Sequence, residues 1–118
     1  MAAKSFNARL PFPPSVNHYW HRRGARSFIG TAGKRFRAEV LETIKNPPRL
    51  LGRLRVLVEL VMPDRRRRDV DNYQKAALDA LTHAGVYEDD CQIDELIVRR
   101  LHVEPPGACD VTIVEVGE

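Results

Sequence analysis

The stretch Arg53–Met62 alternates without a break. Leu54, Val56, Val58, Leu60 and Met62 fall on one side, and Arg53, Arg55 and Glu59 fall on the other, with Leu57 and Val61 between them. A period of two over that length specifies a strand with one buried face and one partly wet face. Pro63 cannot donate to a sheet ladder and ends the pairing. The chain then reads M-P-D-R-R-R-R-D-V-D-N-Y-Q-K from Met62. Whatever sheet contains this strand must therefore present, at its carboxyl end, a turn with Arg65, Arg66, Arg67 and Arg68, then Asp69 and Asp71, then Lys75.

Those residue types in that order suit one kind of chemistry. Arginines neutralise phosphates. Carboxylates two residues apart diverge by about 200° on a helix but point to the same side of an extended backbone. A hard cation such as Mg²⁺ shared by Asp69 and Asp71 thus requires the chain to be extended, or just turning, at Val70, with a helix starting at Asp71 or Asn72. Lys75, four residues past Asp71, then lies over the same helical face. There it could stabilise a leaving oxyanion, orient an attacking water or neutralise the carboxylates. Two plainer readings compete: Asp71-x-x-Gln74 is also a capping box, and an arginine run is also a solvated loop. Neither accounts for Asp69. A second acidic group, Glu88, Asp89 and Asp90, precedes the next strand, and spacing does not choose among its members. Three carboxylates with water and phosphate oxygens complete an octahedral Mg²⁺ shell and hold it against a phosphodiester. The pattern points to a Mg²⁺-dependent DNA endonuclease, with Mn²⁺ as a substitute.

The remaining segments supply a scaffold. Ser5–Leu10 reads as a first strand. Pro11, Pro13 and Pro14 then impose an extended, rigid segment. Phe12, Tyr19 and Trp20 interleave with His18, His21, Arg22, Arg23 and Arg26. Aromatic and basic side chains in one loop can meet unstacked bases and phosphates, which makes Asn17, Tyr19, Arg22 and Arg23 DNA-binding candidates. The alternative is that the aromatics cap the core and the arginines are solvated. His18 and His21 have no third His or Cys nearby to make a metal site. Arg26–Gly30 is a short strand, and Thr31 is the expected N-cap of a helix to about Lys45, with Phe36, Val40 and Ile44 inward. A second helix is expected over residues 71–84, burying Tyr73, Ala77, Ala80, Leu81 and Ala84, with Gly85 closing it. Ile93–Val103 and Asp110–Val116 are read as strands of a hairpin turned by Pro105, Pro106 and Gly107.

The resulting order, β-β-α-β-α-β-β, predicts one α/β (α+β) domain over residues 1–118, a mixed sheet with two helices. A chain of 118 residues has a core of its own, but one small enough that dimerisation would help it. Its net charge of +3 is unevenly spread: residues 1–63 hold 12 Lys/Arg and 3 Asp/Glu, residues 64–118 hold 7 and 13. A polyanion is drawn to the first half and the arginine run. Cys91 and Cys109 form no CxxC motif, which argues against zinc and for two reduced thiols. No apolar run approaches the ~20 residues of a membrane span, so a cytoplasmic protein with no membrane partner is expected.

With these residues in view, the sequence resembles the RusA family of Holliday junction resolvases, crossover junction endodeoxyribonucleases of bacteria and their prophages. The likeness rests on L-P-F-P-P-S-V-N-H-Y, on M-P-D-R-R-R-R-D-V-D-N-Y-Q-K-A-A-L-D-A-L and on G-V-Y-E-D-D-C-Q-I-D. It implies that Asp69, Asp71 and Asp90 are the metal-binding catalytic carboxylates, and so selects Asp90 from the acidic trio. Lys75 becomes a catalytic accessory. The resemblance also implies a homodimer that cuts four-way junctions by paired symmetric nicks in recombination and repair, with some dinucleotide preference. Two related sites suit a two-fold junction. Val16 occupies a variable position of the P-P-S-x-N pattern, and Cys91 stands where a small residue is expected. The competing functions are a non-catalytic DNA-binding prophage protein, which needs the arginines but not the carboxylates, and a less selective flap or duplex metal nuclease.

Overall fold

The computed structural model describes residues 4–116. Its elements are β1 (Ser5–Leu10), α1 (Val16–Tyr19), β2 (Trp20–Arg23), β3 (Arg26–Ile29), α2 (Thr31–Thr43), β4 (Arg53–Met62), α3 (Gln74–His83), β5 (Ile93–Val103) and β6 (Ala108–Val116). Short 3-10 turns at Val70–Asn72 and Asp90–Gln92 precede α3 and β5. The mixed α+β architecture and both long helices follow the sequence reading. One helical turn, α1, and one strand, β2, add to the expected order. Strands β2 and β3 form a separate two-stranded ribbon, because Trp20–Arg23 folds back on Arg26–Ile29 across Gly24.

The main sheet runs β1-β6-β4-β5. All of Leu54, Val56, Val58, Leu60 and Met62 are buried, with Leu10, Val111 and Ile113 of the neighbouring strands in the same core. Phe36 and Val40 from α2, Ile44 just past its end, and Tyr73, Ala77, Ala80, Leu81 and Ala84 around α3 complete it. The alanines of α3 add little side-chain volume, which lets that helix lie close to its neighbours.

The expected β5–β6 hairpin is not formed. β5 pairs parallel to β4, and β6 pairs antiparallel to the other side of β4. The reason lies in β4, which is apolar enough to be a central strand. Helix α3 supplies the long crossover that a parallel neighbour requires. The Glu104–Gly107 turn then carries the chain over the end of β4, where Glu104 N–H donates to Met62 O at 2.8 Å.

Two helix boundaries also differ. Thr31 is the first residue of α2 and Gly30 holds the N-cap position, because the His21 ring fills the space a Cβ on residue 30 would need. The Asp71–Gln74 capping box is absent: α3 starts at Gln74 with no side-chain cap. Gly85 closes α3 as expected, with φ +85° and its N–H on Thr82 O. Both cysteines are free thiols; burial pushes the Cys109 thiol up to about 12.

Candidate active site

The turn after β4 is built around one carboxylate. Asp64 accepts from Arg66 N–H at 2.9 Å and from the Arg68 guanidinium, whose Nη2 lies 3.2 Å from Oδ2. Arg68 is 15% exposed and sits 5.7 Å over the Phe12 ring. Its carbonyl accepts from the Arg100 guanidinium of β5. Arg68 therefore braces the turn, with its charge already matched, and is not free to take a phosphate. Arg65, Arg66 and Arg67 remain exposed.

The Arg68 contact, with the Arg66 N–H, brings the Asp64 carboxyl down to about 2 from 3.8. A depressed carboxyl stabilises the fold above its unfolded pKa, and that support disappears as pH falls through the folded value. The Asp64 contribution is thus complete above about pH 4 and lost near pH 2. Arg68→Ala should move the Asp64 titration, followed by carboxyl NMR shifts, back toward 3.8.

Phe12 joins the proline segment to the start of α3, its ring 5.0 Å from that of Tyr73. Together with Pro14, His18, Arg66 and Arg67 they line a cleft of about 350 Å³, so the proline loop and the arginine turn are two walls of one groove. Asn17, Arg22 and Arg23 are exposed. Tyr19 departs from its expected role. It is fully buried, donates its hydroxyl to Asp79 and accepts from Arg37 Nε at 2.9 Å, so it has no surface to offer DNA. His18 Nδ1 lies 2.8 Å from Ser15 Oγ, and His21 stacks on Phe28.

The backbone at the aspartate pair has the form that sharing a cation requires. Asp69 is extended (φ −85°, ψ 129°), and the chain turns at Val70. Asp69 and Asp71 are both exposed. Lys75 stands in the first turn of α3. Asp90 opens the second 3-10 turn, which a capping box holds. Asp89 Oδ1 accepts from Cys91 N–H at 2.9 Å, and that bond draws its carboxyl below the usual range. Gln92 Oε1 accepts from Glu88 and Asp89 N–H at 2.9 and 3.0 Å, while its amide donates to Leu50 O and Gly52 O. Asp89 and Asp90 both line a cavity of about 250 Å³ with Lys75, Asp79, Thr82 and Trp20; Asp89 is already occupied as a cap, while Asp90 is not.

Lys75 and Asp90 are thus brought to one cavity. The full carboxylate trio is not: among the described residues no three His, Cys, Asp or Glu side chains are close enough to hold a metal ion. The donor chemistry nevertheless fits a hard cation. Seven carboxylates among the described residues pair with arginine, as in Arg9–Asp110, Arg37–Asp79, Arg53–Asp94, Arg55–Glu95 and Arg99–Glu59. Among the described residues Asp69, Asp71 and Asp90 form no ion pair.

Sequence reading missed the Tyr19–Arg37–Asp79 contact. Arg37 Nη2 reaches Asp79 Oδ2 at 2.7 Å, which ties α1 and α2 to α3 beside the cavity. The available signal was Asp79 itself, four residues past Lys75 on an otherwise alanine-rich helix.

A family model described as Endodeoxyribonuclease RusA matches residues 11–113. The crossover junction endodeoxyribonuclease RusA of Shigella sonnei (strain Ss046) is 40% identical over 116 residues, covering 96% of this chain and 97% of that protein. The protein of the same name from Escherichia coli (strain K12) shows the same identity and coverage. That of Enterobacteria phage HK97 is 42% identical over 109 residues, covering 90% and 91%.

Proposed function

The chain belongs to the RusA family of endodeoxyribonucleases, and on that premise we propose that it is a crossover junction endodeoxyribonuclease, resolving four-way DNA junctions by paired symmetric nicks in recombination and repair. Its place of action is the cytoplasm of a bacterium or phage-infected cell, and its working form is a homodimer with one site per strand to be cut. The observation that carries this reading is Lys75, which stands in the first turn of α3, four residues past Asp71, and shares a cavity with Asp90.

Asp69, Asp71 and Asp90 would hold a divalent cation, Mg²⁺ with Mn²⁺ as a substitute. Bound there, it would neutralise charge at the scissile phosphate and lower the pKa of a coordinated water. Arg65, Arg66 and Arg67 lie exposed beside the carboxylates and engage flanking phosphates, with Asn17, Arg22 and Arg23 extending the surface. Asp64 and Arg68 keep the turn in shape. The Lys75 ammonium is placed to meet charge developing on the leaving oxygen.

The test is cleavage of a synthetic four-way junction, a flap and a linear duplex, with and without Mg²⁺. Symmetric nicks on the junction alone, and only with metal, are expected. Equal cutting of all three would make the protein a less selective nuclease, and binding without cutting would make it a DNA-binding module. Lys75→Ala should slow junction cutting by about 10²-fold while affinity holds, since one lysine among many cations adds little to binding. A collapse of affinity would instead make Lys75 a phosphate anchor.

A further inference from the structure

β5 is an edge strand of 11 residues with no partner on its outer side among the described residues. An open edge of that length invites pairing with another chain, and proteins usually blunt it with lysine, proline or an inward-facing charge. Ile93–Val103 contains neither lysine nor proline, and its irregularities against β4 lie at its two ends, opposite Leu54/Arg55 and Leu60/Met62, which leaves Glu95–Arg100 regular. Leu96, Ile97 and Val103 are instead 38%, 44% and 43% exposed.

The order of residues along this edge identifies what it pairs with. Ile93–Leu101 reads I-D-E-L-I-V-R-R-L. Folded about Ile97, it is its own complement: Ile93 meets Leu101, Asp94 meets Arg100, Glu95 meets Arg99, Leu96 meets Val98, and Ile97 meets itself. Two copies running antiparallel across a two-fold axis at Ile97 would place every charge opposite its counter-charge and every apolar side chain opposite another. Directly opposed residues share a sheet face. A shift of two residues either way sets arginines or acids against isoleucine and leucine, so the register is specified.

The intrasubunit pairs reinforce the match. Arg55 holds Glu95 and Glu59 holds Arg99 on the sheet face away from the helices. Joining two edges would make a row of alternating sign: Arg55, Glu95, then Arg99 and Glu59 of the partner subunit. Arg100 contacts the Arg68 carbonyl and has no carboxylate partner among the described residues; Asp94 of the partner subunit, whose Oδ1 is held by its own Arg53, would lie opposite it and leave Oδ2 to share.

We propose that the second copy required by the reading above docks here, with β5 pairing antiparallel to β5 about Ile97 to give one eight-stranded sheet through both subunits. The interface strand then grips the turn at Arg68, one residue before Asp69. Dimer formation and the shape of the candidate active site are thereby linked through Arg100.

Light scattering on the eluting protein measures this directly. Wild type should run at about 27 kDa, twice the 13.4 kDa chain. Glu95→Arg sets two cations opposite each other and Arg99→Glu sets two anions. Each should weaken the dimer at least tenfold and elute as a monomer with unchanged circular dichroism. Mixed together, the two variants regain opposite charges at both contacts and should elute again near the dimer mass. Ile97→Glu, exposed in the monomer but facing itself in the pair, should also give a folded monomer. A monomeric wild type would remove the dimer and this interface, yet leave nuclease activity to the junction assay. If wild type is dimeric and the variants are too, the interface lies elsewhere. If the variants are monomeric but do not rejoin on mixing, the Ile97 register is wrong.

Discussion

Asp90→Asn should abolish nicking of a four-way junction while junction binding survives. The substitution preserves shape and removes one charge and one anionic ligand. Asp90 is exposed and forms no ion pair among the described residues, so its loss costs the fold little. Asp69→Asn and Asp71→Asn should behave alike, each lowering the cutting rate on the order of 10³-fold. Binding rests on the arginines, and removing an anion from the DNA-facing surface should preserve or improve it. The adjacent residue is the control. Asp89 caps the turn through Cys91 N–H, and the amide of Asp89→Asn keeps an acceptor oxygen there, so that variant should lower stability only slightly and spare activity. Normal cutting by Asp90→Asn in Mg²⁺ would remove that residue from the site. Loss of cutting in Asp89→Asn but not Asp90→Asn would exchange their roles.

The contrast between these neighbours shows where sequence reading reaches and where it stops. Alternation in Arg53–Met62 and the apolar stripe of Tyr73–Ala84 are local periodicities, and both faces came out as read. The extended backbone at Asp69 follows from reading Asp69 and Asp71 as a pair that faces one way, and the chain has that form. Choosing Asp90 over Asp89 needed the family resemblance, since an acidic run does not say which member caps the turn; the turn that makes Asp89 the cap is anchored by Gln92 to Leu50 and Gly52, some 40 residues away. The β5–β6 hairpin failed for a related reason: periodicity assigns faces, but it does not tell which strand lies beside which. Tyr19 was misplaced because aromatics next to arginines describe both a nucleic-acid loop and the lid of a core. What decided was Asp79, 60 residues on, and no local pattern announces such a partner.

That partnership gives the largest expected effect on stability. Asp79→Ala should lower the melting temperature by roughly 10–20 °C, from a loss of about 2–3 kcal/mol. The carboxylate receives Arg37 through Nε at 3.0 Å and Nη2 at 2.7 Å, as well as the Tyr19 hydroxyl. Without it a partly buried guanidinium and a buried phenol lose their shared acceptor. Arg37 and Asp79 keep 26% of their side chains in water, which is why the loss falls below that of a fully buried pair. Burial, then the bond to Asp79, drives the Tyr19 hydroxyl pKa well up, so it stays a donor at every working pH and relies on its acceptor. Asp79→Asn retains an acceptor oxygen and should cost about half as much. Tyr19→Phe, which removes one donor and leaves the ion pair, should cost about 1 kcal/mol. If the three residues act as one unit, adding Tyr19→Phe to Asp79→Ala should cost almost nothing more, because the hydroxyl has already lost its partner. Additive losses in that double variant would mean that Tyr19 and Asp79 support the fold independently, and α1 would then be held by its apolar packing alone.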